Sequence, residues 1–112
     1  MIAIVNSHTQ NDLIELMGVD EFQDLLVEAA IQFKERAAAL TMALSQQKWT
    51  DVRGLAHKIK GSMGSLGYDA LFQVLDGLEA GLLKEPVQLP TAEGIDEVHE
   101  ALEKTRLALP AV

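Results

Sequence analysis

Along most of the chain, apolar residues recur three and four positions apart, the spacing of helices that each bury one face. The longest stripe runs through Phe22, Leu25, Leu26, Ala29, Phe33, Ala37, Leu40 and Leu44, uninterrupted by glycine or proline. It predicts a helix from Asp20 to about Gln46, with Asp20 as N-cap and Gln23 completing a variant of the capping box. Val52, Leu55, Ile59, Met63 and Leu66 mark a second helix, opened by Thr50 or Asp51 and closed by Gly67 in a left-handed stop. Leu71, Leu75, Leu78 and Leu82 mark a third, capped by Asp69 and running to about Lys84, where Glu85-Pro86 ends it. The last spans Ala92 to Ala108, with Ile95, Val98, Leu102 and Leu109 inward and Pro110 as its stop. Ahead of these, Thr9 or Asn11 is placed to cap a short helix ending at Met17-Gly18, and residues 1–8 read as an extended arm or part of its first turn. No stretch alternates as a strand would, and none repeats. The expected fold is all-α: an antiparallel up-down-up-down four-helix bundle, with the short extra N-terminal helix across one end.

Composition narrows the class. A chain of 112 residues suffices for a single domain, 1–112, with one core. No run of eighteen apolar residues suggests a membrane span, and the N-terminus lacks the basic lead and apolar core of a signal peptide. The absence of cysteine removes disulfides and thiolate metal sites and is compatible with a reducing cytoplasm, and a cytoplasmic monomer is the expectation. A formal charge of −8 argues against nucleic-acid binding, which leans on clustered cations. Yet four of the nine basic residues, Lys48, Arg53, Lys58 and Lys60, lie on the second helix or just before it, with only Asp51 opposing them there. Such a patch favours an acidic surface or a phosphoryl group.

At its centre stands His57, roughly 150° from the middle of the apolar stripe, so it should point to solvent. Its outer-face neighbours are Arg53 and Gly54 one turn before, Lys60 and Gly61 one turn after, and Gly64 beyond. Glycine inside a helix costs about 1 kcal/mol relative to alanine. Three of them beside one histidine suggest that bulk has been removed to admit something.

The run AHKIKGSMGSLG resembles the signature of histidine phosphotransfer (HPt) domains through Ala56, His57, Ile59, Lys60, Gly61, Ser62, Leu66 and Gly67. It is also similar to the phosphotransfer module of chemotaxis histidine kinases. The resemblance implies the same helical bundle and a phosphorelay carrier. His57 would take a phosphoryl group from a receiver-domain aspartate (or a kinase) and pass it to a response-regulator receiver; the partners would be receiver domains of a hybrid histidine kinase, a response regulator, or both. Any Mg²⁺ would belong to the receiver, leaving this chain without a cofactor of its own. Lys58, Met63, Gly64 and Tyr68 depart modestly from the family pattern.

Residue chemistry fits that role. A neutral imidazole attacks phosphorus without a neighbouring base. Lys60, expected to be a solvated side chain, is the candidate to offset phosphoryl charge. Gly61, and Gly64 with it, would give an incoming domain clearance, flanked by Arg53, Gly54 and Lys58. Glu79 falls on the flank of the following antiparallel helix. In the chemotaxis modules a glutamate at the matching position accepts a hydrogen bond from the histidine ring. Ser62 could bond back to its own helix. His8 and His99 have no comparable surroundings, and Asp96-x-x-His99 lacks the facing copy that a di-iron bundle site requires. No nucleotide loop or catalytic triad stands out, so the chain reads as a carrier and not an enzyme. A non-catalytic adaptor that only binds a receiver is the alternative.

Overall fold

The computed structural model describes residues 2–112, which form five helices and no strand: α1 (Ser7–Met17), α2 (Val19–Ser45), α3 (Trp49–Gly64), α4 (Asp69–Leu82) and α5 (Ala92–Ala108). Helix α2 packs on α3, α3 on α4, α4 on α5, and α5 returns to α2, closing a four-helix ring. Short connections between consecutive helices make neighbours antiparallel. Each predicted apolar stripe faces the axis. Leu40, Val52, Ala56 and Leu75 are wholly enclosed, with Phe22, Phe33, Ile59, Met63, Leu71 and Val98 around them. Two polar-bearing residues join that core: Tyr68, and Thr105, whose hydroxyl donates to the Ala101 carbonyl at 2.8 Å.

The helix ends differ from the expectations in instructive ways. Asn6, rather than Thr9 or Asn11, caps α1: its Oδ1 accepts from the Thr9 N–H at 3.1 Å. Ser7 and His8 therefore belong to the helix and not to an arm; Met1 lies outside the described residues. Gly18, at φ +87°, separates α1 from α2 so tightly that Asp20 is already in the first turn. There its charge meets the positive end of the helix without capping it. The turn between α2 and α3 closes one residue earlier than Thr50 would allow, because Gln47 adopts φ 56° and Lys48 N–H bonds back to the Ala43 carbonyl.

At the end of α3 the expected left-handed glycine is present. Gly67 has φ +92°, its N–H bonds to Gly64 O, and the Tyr68 N–H reaches Met63 O at 3.1 Å, which is a Schellman stop. Asp69 does not cap α4; its Oδ2 instead accepts from Asn6 Nδ2 at 2.9 Å. Asn6 N–H also donates to Gly67 O at 2.7 Å, and Gln10 Nε2 to Leu66 O at 3.1 Å. The start of α1 is thus pinned to the turn that joins α3 to α4. Helix α4 ends at Leu82, two residues before the expected Lys84, and Thr91 caps α5 by accepting from Gly94 N–H.

Candidate functional site

His57 sits midway along α3, between the enclosed Ala56 and Ile59 that hold its backbone against the core. Its side chain is 70% exposed. Across the groove to α4, Glu79 brings Oε2 to 3.1 Å and Oε1 to 3.2 Å from Nδ1. The Glu79 side chain is only 13% exposed, so its carboxylate is held rather than free. An ionised carboxylate only accepts hydrogen bonds, so Nδ1 must carry the proton. In the neutral imidazole, Nε2 is then the nitrogen that keeps its lone pair.

Lys60 lies one turn further on. Its Nζ is 2.7 Å from Asp76 Oδ1 and 3.5 Å from Glu79 Oε2, and stands 5.5 Å from the centroid of the Phe72 ring. The expectation of a solvated lysine is corrected: the side chain is 16% exposed, laid along α4 by two carboxylates and an aromatic face. The hydrogen bond to Asp76, with the Glu79 charge behind it, holds the ammonium above the ordinary lysine pKa despite partial burial. The basic patch is likewise less basic than it reads along α3, because Asp76 and Glu79 face it from α4.

The three glycines separate into two kinds. A Cβ added at Gly54 or Gly61 would meet nothing within 4 Å, so both leave open surface on the histidine face. One added at Gly64 would stand 2.6 Å from Phe72 Cδ2. Gly64 admits the chain's own Phe72, which corrects its reading as clearance for a partner. Arg53 and Lys58 are exposed and form no ion pair among the described residues. Ser62 does bond back along its helix, to the carbonyls of Lys58 and Ile59, and receives a long contact from Arg36.

Asp76 and Phe72 are the members that the sequence reading missed. A signal existed: Phe72, Asp76 and Glu79 stand at i, i+4 and i+7, which places all three on one flank of α4. That flank faces the His57–Lys60 turn. Elsewhere, His99 is exposed on α5, and His8 lies 3.6 Å from Asp12 on its own helix.

The chain matches the Hpt domain family over residues 19–108, from the start of α2 to the end of α5. Its fold is similar to the crystal structure of histidine-containing phosphotransfer protein B (HptB) from Pseudomonas aeruginosa PAO1. The TM-score is 0.75 at 22% identity, over 96% of this chain and 92% of that one. No curated protein matches it. With the family spanning the whole four-helix ring, and an outward histidine at the centre of its second helix, the chain belongs to the Hpt domain family, the phosphotransfer carriers of two-component phosphorelays.

Proposed function

We propose that His57 is the phosphoryl-accepting residue and that the chain shuttles the group between receiver domains. The observation that carries the reading is the Nδ1–Glu79 hydrogen bond, which leaves the Nε2 lone pair available on an exposed ring. In the forward step Nε2 attacks the phosphorus of a receiver's aspartyl phosphate. The P–Nε2 bond forms, the P–O bond breaks, and the aspartate leaves as a carboxylate. The phosphorylated ring keeps its Nδ1 proton, and Glu79 faces the positive charge that results. Gly54 and Gly61 leave room for the receiver beside the ring, with Arg53 and Lys58 at its margin. Any Mg²⁺ belongs to the receiver's acidic pocket. Because the group arrives covalently bound, the chain acts as a carrier without a turnover of its own, and we place it in the cytoplasm as a monomer.

Incubation with a ³²P-labelled phosphorylated receiver tests this directly. Label should pass to this chain in an acid-labile, alkali-stable form. His57→Gln should abolish it with the fold intact, while His8→Gln and His99→Gln should label normally. Binding of the receiver without any transfer would instead make the chain an adaptor.

A further inference from the structure

Asp76, like its partner Lys60, has no part in the reading above. Its carboxylate is 54% exposed, yet it makes the shortest contact in the cluster, 2.7 Å to Lys60 Nζ. The same ammonium reaches toward Glu79, on the Nδ1 side of the ring, and lies against Phe72. Lys60 is therefore held along α4 by partners other than the atom that would bear the phosphoryl group.

From this arrangement we propose that Asp76 is a positioning residue that restrains Lys60, keeping the phosphorylated histidine short-lived enough to pass its group on. The inference rests on His57 as acceptor. A loose phosphoryl-transfer transition state carries less charge on the phosphoryl oxygens than the bound dianion does. An ammonium resting on those oxygens thus stabilises the phosphohistidine more than the transition state for losing it, and slows loss. By competing for Lys60, Asp76 weakens that stabilisation. Its own exposure makes the competition reversible: when phosphoryl oxygens arrive, Lys60 has a second set of acceptors within the same cluster.

The lifetime of the phosphohistidine reads this out. The whole protein is phosphorylated with phosphoramidate, a small donor that needs no docking surface, and loss of the label is followed by ³¹P NMR. Phosphoramidate's P–N bond breaks as P–Nε2 forms and ammonia leaves; in decay, water takes the phosphorus and releases inorganic phosphate. Asp76→Asn should lengthen the lifetime about two- to fivefold, the scale of an exposed ion pair. Asp76→Glu, which keeps the carboxylate, should restore the original value. In a Lys60→Gln background, Asp76→Asn should change nothing, a coupling that a merely structural role would not produce. An unchanged or shortened lifetime in Asp76→Asn would overturn the proposal, as would an equal lengthening in the Lys60→Gln background. Label that persists in His57→Gln would overturn it together with the acceptor assignment, whereas a His57-dependent label with a lifetime indifferent to Asp76 overturns this inference alone.

Discussion

Among the described residues two histidines stand beside a carboxylate, and only one of them has the makings of a site. His8 and Asp12 are four residues apart on α1, with side chains 88% and 64% exposed and 3.6 Å between Nε2 and Oδ2. Water competes for both groups, and such a pair contributes little and fixes nothing. His57 meets its carboxylate across a helix–helix groove, at 3.1 Å, and the carboxylate is largely covered and shared with Lys60. Proximity of the two residue types is common to both. What differs is that a second helix holds the Glu79 carboxylate in place beside Nδ1. The surroundings differ as well: one turn after His57 is the open Gly61, while one turn after His8 come Asn11 and Asp12 with side chains of their own.

The comparison can be broken at several points. Gly61→Gln should have the largest effect, cutting transfer from a receiver by on the order of tenfold or more, the scale of a displaced reacting geometry. Labelling by phosphoramidate should stay near normal, because the small donor needs no shelf. Equal loss with both donors would mean that the substitution damages the ring itself. Next, Glu79→Gln should mix the two neutral tautomers of His57, visible in long-range ¹H–¹⁵N spectra, and slow phosphorylation several-fold. Asp12→Asn should leave the His8 spectrum unaltered. If the His57 tautomer survived the loss of Glu79, the groove would not be what orders it.

The smallest effect distinguishes the glycines from one another. Gly61→Ala should stabilise the protein by about 0.5–1 kcal/mol, since the site is open and the helix gains propensity. Gly64→Ala should not show that gain in a denaturant titration, because Phe72 must move away from the new methyl group. It should also shift the Lys60 side-chain resonances, through the ring that Lys60 lies against.

The helices and their inward faces were legible because burial imposes a period on the sequence. Leu71, Leu75, Leu78 and Leu82 are buried as their spacing requires, and Gly67 has the positive φ that its position after α3 implies. Caps were less legible, since they depend on where the chain comes from as much as on the residue. Asp20 and Asp69 are good N-cap residue types, yet Gly18 turns too sharply for the first, and Asn6 takes the carboxylate of the second. Within the site, His57, Gly61 and Glu79 could be placed from helical phase and the family resemblance. The state of Lys60 could not, because its partners lie on another helix, and a charge count along α3 alone misses Asp76. Gly64 was misread for the same reason: Phe72 fills its space from across the groove.

The contacts of Asn6 and Gln10 bear on how this module could be moved into another protein. The family likeness begins at Val19, after both residues, yet their hydrogen bonds end on Leu66, Gly67 and Asp69, in the hairpin that brings the histidine and glutamate helices together. A graft trimmed to the recognisable segment would carry every residue of the site and lose the clasp that ties that hairpin down. The transplantable unit is therefore longer than the segment the family matches, and its margin is drawn by these hydrogen bonds.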